Sequence, residues 1–306
     1  MRIHLLGTAA GGGVPQWNCN CDVCREARTK NGRVQPRTQS SVAVSADGQN
    51  WFLLNASPDI RVQIENFAPL FPDYDKTRNS PIEGVLLTNA DLDHSLGLLL
   101  LREGEKLCIH ATAATRLALT EGISIAQTLN FFSGAEWIEP PTKRKPLLLR
   151  DGAPSGLEYE AIPLGGKPPR FMGGKKASSA ENVIGYRIRD AKTGGTLAFL
   201  PDVAEVSKVL VMALIAPQVL LFDGTFWSEN EMRERGAGTL SASDMGHWPI
   251  SGERGSLEWL ANFRIPHKIY THINNTNPIL IEDSPECAAV KAAGCIVGQD
   301  GMEIEI

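Results

Sequence analysis

Short apolar runs bounded by glycine, proline, asparagine or aspartate recur along the whole chain, a pattern typical of β-strands in a layered α/β protein. The first run, residues 2–6, ends at a glycine-rich segment, and Asp47-Gly48 between two later runs indicates a β-hairpin. Further along, strands alternate with helices, so the pattern predicts one α/β domain with mixed sheets over residues 1–306. The predicted strands are residues 2–6, 41–45, 51–55, 84–88, 108–110, 157–162, 183–188, 196–200, 218–223, 268–271, 295–297 and 302–306. The predicted helices are residues 95–102, 112–120, 204–216 and 256–263.

The composition narrows the classes of protein to which the chain can belong. Its 42% hydrophobic and 21% charged residues are ordinary for a globular protein with a large core. A formal net charge of −5 argues against a nucleic-acid partner bound through a general basic surface. No apolar stretch reaches about 18 residues, so no membrane span is expected, and the N-terminus lacks an apolar signal core. We therefore expect a cytoplasmic protein whose six cysteines stay reduced.

Three cysteines lie close together in the segment Cys19-Asn20-Cys21-Asp22-Val23-Cys24. A tight loop of this kind can direct several thiolates at one point, and structural Zn²⁺ takes four ligands of this type. Polar neighbours disfavour the alternative in which the thiols are simply buried. The motif therefore predicts a structural zinc held by Cys19, Cys21 and Cys24. For its fourth ligand, Asp22 and a residue from elsewhere in the chain both remain open.

A second polar cluster, Asn89-Ala90-Asp91-Leu92-Asp93-His94, directly follows the strand predicted over residues 84–88. Strand ends are where α/β proteins usually build their sites. Carboxylates and an imidazole this close together are most simply explained by a bound cation. The alternative, a solvated acidic turn, fits poorly with the leucines that follow over residues 96–101.

Two later strand ends offer further ligands, because Asp202 follows one apolar strand and His272 another. Either residue alone would more often be structural. Together with Asp93 and His94, however, they make a metal site of four ligands. His247, in a loop bounded by glycine and proline, is a candidate acid or base, with a simple hydrogen-bonded histidine as the alternative.

With these motifs the chain resembles the metallo-β-lactamase superfamily. Within it, the chain is similar to a family that acts in the biosynthesis of the quinone cofactor pyrroloquinoline quinone (PQQ). The resemblance runs from end to end and implies an αββα sandwich, in which two mixed β-sheets are flanked by helices. The segments that carry it are Gly7-Thr8-Ala9-Ala10-Gly11-Gly12-Gly13-Val14-Pro15-Gln16-Trp17-Asn18-Cys19, Asn55-Ala56-Ser57-Pro58-Asp59-Ile60-Arg61, Thr88-Asn89-Ala90-Asp91-Leu92-Asp93-His94 and Thr271-His272-Ile273-Asn274-Asn275-Thr276-Asn277-Pro278.

The chain departs from the superfamily's usual His-x-His-x-Asp-His motif at one of the two metal positions. Asn89 and Asp91 replace the first two histidines, and Gly165-Gly166-Lys167 stands where a further histidine is expected. The resemblance therefore implies a single active-site metal, with Asp91 as an additional candidate ligand and Asn89 as a candidate substrate-binding residue. The ligands retained at the second position are Asp93, His94, Asp202 and His272.

The resemblance implies oxidative chemistry on a small peptide-derived Glu–Tyr precursor of the quinone. Two imidazoles and a carboxylate with open positions are the ligand set of iron(II) oxygenases, and Asp93, His94 and His272 can supply it. We therefore expect hydroxylation of the tyrosine ring with O₂ and a reductant, with His247 and Asp202 as catalytic residues. Fe²⁺ is the expected metal, although Zn²⁺, Mn²⁺ or Cu²⁺ can occupy such a site.

Basic residues on the Pro/Gly-rich segment 165–179 are candidates for binding the carboxylates of the precursor from a mobile lid. The alternative is a solvated basic loop. These residues are Lys167, Arg170, Lys175 and Lys176.

Two other functions remain open at this point. One is a metal-dependent hydrolase that uses His247 as an acid, and the other is a carrier that binds the finished quinone or its precursor and aids export. The superfamily branch with the same cysteine motif implies a homodimer. In that branch a histidine completes the zinc shell at the position of Asn275, so the fourth zinc ligand of this chain stays open.

Overall fold

The computed structural model describes residues 1–29, 32–173 and 179–306. Their strands form two mixed sheets of seven strands each with flanking helices, which confirms the predicted metallo-β-lactamase fold. The chain divides into two compact units, and the expectation of one domain over the whole chain stays a prediction. The units comprise Met1–Leu6, Ser41–Thr196 and Gly301–Ile306 (unit 1), and Gly7–Ser40 and Leu197–Asp300 (unit 2).

The strands and helices are numbered in chain order. The strands are β1 (Arg2–Gly7), β2 (Ser41–Ser45), β3 (Trp51–Leu54), β4 (Ile82–Leu86), β5 (Leu107–His110), β6 (Ala135–Ile138), β7 (Lys145–Leu148), β8 (Pro154–Gly165), β9 (Val183–Asp190), β10 (Thr196–Leu200), β11 (Val219–Asp223), β12 (His267–Thr271), β13 (Cys295–Val297) and β14 (Glu303–Glu305). The α-helices are α1 (Asp22–Thr29), α2 (Ile60–Glu65), α3 (Leu92–Ser95), α4 (Ala113–Leu117), α5 (Ile125–Leu129), α6 (Lys208–Ala213), α7 (Glu231–Glu234), α8 (Ala242–Met245), α9 (Ser256–Leu260) and α10 (Pro285–Ala292). Within the described part of the chain, none of the helices has the length and apolar character needed to cross a membrane.

Unit 1 contains a sheet of order β14-β1-β2-β3-β4-β5-β6, in which β3 to β6 run parallel. It also contains the antiparallel strands β7, β8 and β9. Its core is apolar and buries Trp51, Leu53, Val85 and Leu98. Strand β4 ends at Leu86, which is fully buried, so the polar segment that follows emerges directly from a buried strand.

The helix predicted over residues 95–102 is wrong in its bounds. Helix α3 ends at Ser95, and a 3₁₀ turn spans Leu96–Leu99. The backbone N–H of Gly97 donates to Ala56 O (2.9 Å) instead of continuing the helix, which interrupts the α-helical hydrogen-bond ladder. Only glycine fits this close approach, because a Cβ at Gly97 would lie 2.3 Å from Ser57 O.

Unit 2 is built on β10, β11, β12 and β13, which are parallel neighbours in that order. Strand β11 is buried along its whole length, as expected for a strand of a parallel sheet. Because the strands are parallel, their carboxyl ends lie along one edge of the sheet. Asp202 follows β10, Asp223 ends β11 and His272 follows β12. The strand order therefore places three polar residues from distant parts of the chain side by side.

Candidate metal centres

The three motif cysteines lie together in unit 2, with their Sγ atoms within 4.8 Å of one another. Helix α1 begins at Asp22, so Cys24 is buried on its first turn while Cys19 and Cys21 stay half-buried. A hydrogen bond from the Cys21 thiol raises the pKa of Cys21 and lowers that of Cys24. Since the thiolate is the form that binds metals, this set of soft donors fits a tetrahedral zinc site.

Asn275 completes the surroundings of the thiols. Its backbone oxygen lies 3.4 Å from Cys21 Sγ, and its side-chain Nδ2 lies 3.3 Å from Cys24 Sγ. Asp22, the local alternative for the fourth zinc ligand, is turned to Arg235, which donates to its carboxylate at 2.7 Å. The structure therefore favours Asn275, through its carbonyl oxygen, over Asp22. A backbone oxygen as fourth ligand would leave no mark in the sequence.

The cysteine loop is supported by arginines that bind its backbone. Arg28 donates to Cys19 O (2.6 Å) and Gln16 O (2.7 Å), and Arg25 donates to Asn20 O (2.8 Å). These contacts satisfy carbonyl groups of an irregular loop that has few backbone partners of its own. The side chains of Arg25 and Arg28 therefore hold the shape of the cysteine loop.

Asp93 and His94 lie on α3 in unit 1. The Nδ1 atom of His94 is 3.0 Å from Asn89 Oδ1 and 3.1 Å from Thr88 Oγ1, and the same Asn89 oxygen accepts from Asp91 N at 2.9 Å. Because an amide oxygen only accepts, Nδ1 carries the proton and Nε2 holds the lone pair that a metal requires. Nε2 faces the Asp93 carboxylate at 3.8 Å.

Asp202, His247 and His272 come together in unit 2, where each offers a ligand atom within 4.8 Å of the others. Asp202 Oδ1 lies 3.8 Å from His272 Nδ1, and the two imidazole rings have centroids 5.4 Å apart. All three residues are buried, with exposures of 9%, 9% and 4%. Ligand atoms within 4.8 Å of one another can share a single first-row ion, because metal–ligand bonds are about 2.1 Å long.

A buried carboxylate and a hydroxyl orient these two histidines. Asp223 Oδ2 lies 2.8 Å from His247 Nδ1, and Thr225 Oγ1 lies 2.9 Å from His272 Nδ1. Thr225 itself donates to Asp223 Oδ1 at 2.6 Å. Both histidines therefore direct Nδ1 at oxygen, so that Nε2 is the atom that can bind a metal or carry a proton.

The same contacts shift the protonation equilibria of the pair. Burial acts to lower the pKa of His247, but the charge and hydrogen bond of Asp223 raise it above its usual value. Burial acts to raise the pKa of Asp223, and His247, His272 and Thr225 bring it below its usual value. Asp223 is thus a buried anion, and His247 readily holds a second proton.

Asp223 and Thr225 are absent from the residues predicted from the sequence. Asp223 carries the same signal that identified Asp202, an acid at the end of an apolar strand. The role of Asp223 follows only from the position of β11 between β10 and β12. This position brings Asp223 within hydrogen-bond distance of His247 and Thr225.

The residues predicted to bind substrate lie in unit 1. Asn89 is 2% exposed and engages His94, whereas Lys167 and Arg170 are exposed. Lys175 and Lys176 lie outside the described residues. Pro169 near Arg170 lines a cavity of about 150 Å³ that Ala90, next to Asn89, also lines. Their contact with substrate stays a prediction, as does the binding of one ion by Asp93, His94, Asp202 and His272.

Comparison with known proteins places the chain in a family. A family model described as a beta-lactamase superfamily domain matches residues 50–273. Coenzyme PQQ synthesis protein B of Methylobacterium radiotolerans is 39% identical over 311 residues, and that of Azotobacter vinelandii is 41% identical over 309 residues. Both alignments cover 100% of each chain.

Solved structures agree with this assignment. A Zn²⁺-bound PqqB from Methylobacterium extorquens superposes with a TM-score of 0.90 at 39% identity, covering 100% of both chains. A diphosphatase of the PhnP family superposes with a TM-score of 0.68 at 20% identity, covering 100% of this chain and 98% of its own, and shows the shared fold alone. The chain therefore belongs to the beta-lactamase superfamily and, within it, to the family of coenzyme PQQ synthesis protein B.

Proposed function

We propose that this protein is a metal-dependent oxygenase of PQQ synthesis that hydroxylates the tyrosine ring of a Glu–Tyr precursor. The observation that carries the proposal is the cluster of Asp202, His247 and His272, in which Asp223 and Thr225 orient both imidazoles. The names of the relatives supply the pathway, and the solved relative is described as binding Zn²⁺.

The ligands in this proposal are two imidazoles and carboxylates, a donor set that suits non-haem iron. We assign Asp93, His94, Asp202 and His272 to one divalent ion, with Asp91 as an additional candidate, and this grouping is taken from the sequence. Iron(II) bound there supplies the one-electron chemistry with O₂ that hydroxylation of an aromatic ring requires. Zn²⁺, Mn²⁺ or Cu²⁺ would compete for the same donors without being the proposed active form.

The protein's own contribution is to orient groups and to handle protons. One oxygen atom of O₂ enters the ring and the other leaves as water, so an external reductant must supply two electrons and protons must reach the departing oxygen. His247 is suited to deliver a proton, because Asp223 holds Nδ1 and favours the charged imidazolium. The negative charge of Asp202, whose Oδ1 lies 3.8 Å from His272 Nδ1, also acts to raise the pKa of His247.

The substrate in this proposal is a small peptide rather than a macromolecule. The cavity of about 150 Å³ beside Ala90 has room for one aromatic ring, and we assign the tyrosine side chain to it. Lys167 and Arg170 on the neighbouring segment, together with Asn89, would then bind the polar groups of the dipeptide. A homodimer is part of the proposal and can be tested independently by sedimentation.

The proposal is tested by isotope incorporation. Anaerobically purified protein is loaded with Fe²⁺ and given Glu–Tyr, a reductant and ¹⁸O₂, and the product is analysed by mass spectrometry. We expect one ¹⁸O atom per hydroxylation, lost in His272→Ala and retained in His267→Ala, a control at the start of β12, the strand that His272 follows. Unchanged Glu–Tyr would refute the oxygenase.

Phosphodiester cleavage with Zn²⁺ or Mn²⁺ and no O₂ would favour a hydrolase, and tight PQQ binding that survives His272→Ala would favour a carrier.

A further inference from the structure

One loop of unit 2 connects the surroundings of both candidate metal centres. Residues 272–277, here called the His272 loop, leave the end of β12 with His272 at one side and Asn275 three residues later. His272 belongs to the Asp202–His247 cluster, and Asn275 lies against the thiols of Cys21 and Cys24. The conformation of this short loop therefore decides where a residue of each centre is placed.

The backbone of the His272 loop begins in an uncommon conformation. His272 has φ 55°, the left-handed region that residues other than glycine rarely occupy. Such a conformation persists where the surroundings over-determine it. Here Thr225 Oγ1 lies 2.9 Å from both Nδ1 and O of His272, and Asn274 N donates to Thr225 O at 3.0 Å.

A buried glutamate holds the far side of the loop. Glu231 Oε1 accepts from Thr276 Oγ1 at 2.5 Å, and Thr276 Oγ1 in turn accepts from Asn274 Nδ2 at 2.5 Å. The other oxygen, Glu231 Oε2, accepts from Trp227 N at 2.5 Å and so fixes the carboxyl group to the segment that precedes α7. Each of these three hydrogen bonds has a separate donor hydrogen, so all three can form at once.

Burying the carboxyl group of Glu231 and its hydrogen-bond partners costs free energy. Glu231 is 3% exposed and Thr276 is fully buried, and burial raises the pKa of Glu231 to about 7. A buried acid of this kind does not stabilise a fold better than an apolar side chain of similar size. What it adds is directed hydrogen bonding, which an apolar residue cannot provide.

We propose that Glu231 is a positioning residue that fixes the His272 loop through Thr276 and Asn274, so that His272 and Asn275 hold their places at the two metal centres. Within the described residues, the hydrogen bonds of the Glu231 carboxyl group join it to Thr276 and Trp227 rather than to a proposed metal ligand, so Glu231 acts through the loop. The inference rests on the proposed function in one respect, namely that His272 binds the active-site metal.

The experiment measures metal geometry rather than turnover. Full-length protein with zinc in the cysteine site is titrated with Co²⁺, and the absorption spectrum and the rate of Co²⁺ release to a chelator are recorded. The variants are Glu231→Gln and Thr276→Val, with Thr276→Ser as the conservative rescue and Glu234→Gln, an exposed neighbour on α7, as the matched control. Circular dichroism checks that each variant is folded.

We expect Glu231→Gln and Thr276→Val to change the Co²⁺ spectrum and to speed release about tenfold, the effect usual for residues that orient metal ligands. Thr276→Ser and Glu234→Gln should match the wild type. Spectra and release rates within twofold of wild type in both Glu231→Gln and Thr276→Val would overturn the inference. If Glu231→Gln does not fold, Thr276→Val decides alone, because it removes only the hydroxyl that joins Glu231 to the loop.

A further variant separates this inference from the proposed function. If His272→Ala alters Co²⁺ binding while Glu231→Gln and Thr276→Val do not, the metal site stands and the positioning role fails. If His272→Ala leaves the Co²⁺ spectrum unchanged, both fail, because His272 is then not a ligand that could be positioned.

Discussion

The cysteine site and the Asp202–His247–His272 cluster both lie in unit 2, yet the chain assembles them in different ways. The three thiols come from one segment, Cys19 to Cys24, and are supported by arginines that bind the loop backbone. The cluster instead collects residues that follow β10 and β12 and a loop between them in sequence, supported by buried side chains. The spacing of residues in the sequence predicts a site that is built from one segment. A site that is built from several segments depends on the order of the strands.

The hydrogen bonds that surround the two sites also have different functions. Backbone contacts around the thiols hold the shape of an irregular loop, which is what a structural zinc stabilises. Asp223 and Thr225 set the proton positions of His247 and His272, which matters for a metal that takes part in chemistry. The comparison therefore predicts that damage to the first site appears in stability and damage to the second in metal affinity and turnover.

The largest effect is expected at the cysteine site. Cys24→Ser should release the structural zinc and lower the free energy of unfolding by about 4–5 kcal/mol or more, because a bound zinc contributes directly to folding. Zinc analysis and urea denaturation measure this effect. Cys108→Ser, at a half-buried cysteine outside the motif, is the control. Equal zinc content and an unchanged midpoint in Cys24→Ser would contradict a structural role.

The support of the histidine cluster is tested at Asp223. Asp223→Asn replaces one of the two carboxylate oxygens by an amide NH₂. This change disturbs the hydrogen bond that Thr225 donates to Asp223 and, through Thr225, the orientation of the proposed metal ligand His272. We expect about a 100-fold loss of affinity for the active-site metal, about 2.7 kcal/mol, with the cysteine zinc retained. Competition titration measures the affinity, and Asp283→Asn on the surface is the control. Loss of the cysteine zinc instead would erase the proposed distinction between the sites.

A smaller effect is expected from pH, at the glutamate that holds the loop joining both sites. The pKa of Glu231 is about 7 in the folded protein, against an ordinary value of 4.5, so the folded state binds the proton more tightly. This contribution to stability is full below the unfolded pKa and is lost as pH rises through about 7.

Relative to Glu231→Gln, the wild type should therefore lose about 2 kcal/mol of stability between pH of about 5.5 and 8. Urea denaturation across this range, with saturating zinc, gives the difference. If the two stability curves run parallel, burial does not raise the pKa of Glu231, and its carboxyl group is ionised over the whole pH range. This result would contradict the prediction.

What the sequence could predict follows the same division. The clustering of the Cys19, Cys21 and Cys24 thiols was predictable, because residues that are close in sequence stay close in the fold. Asp202 and His272 were predictable as acids and imidazoles at strand ends, although their meeting required the order β10-β11-β12. The fold was predicted through family resemblance more than through the apolar pattern.

The remaining features depend on contacts that no local pattern encodes. Asp223 shares the strand-end signal of Asp202, but its role appears only once β11 lies beside β12. The contact of Asn275 with Cys21 uses the backbone oxygen, which every residue possesses. The early end of α3 depends on the approach of Gly97 to Ala56, a contact between segments distant in sequence.

The central claim is that the chemistry belongs to an exchangeable metal at the histidine cluster and not to the cysteine zinc. The most direct measurement is oxygen uptake with Glu–Tyr after mild chelation, with the metal content recorded before and after Fe²⁺ is returned. The account predicts a folded protein that keeps one zinc per chain, consumes no oxygen, and regains substrate-dependent uptake with Fe²⁺. Uptake that persists in the chelated protein, or that fails to return with Fe²⁺, would contradict it.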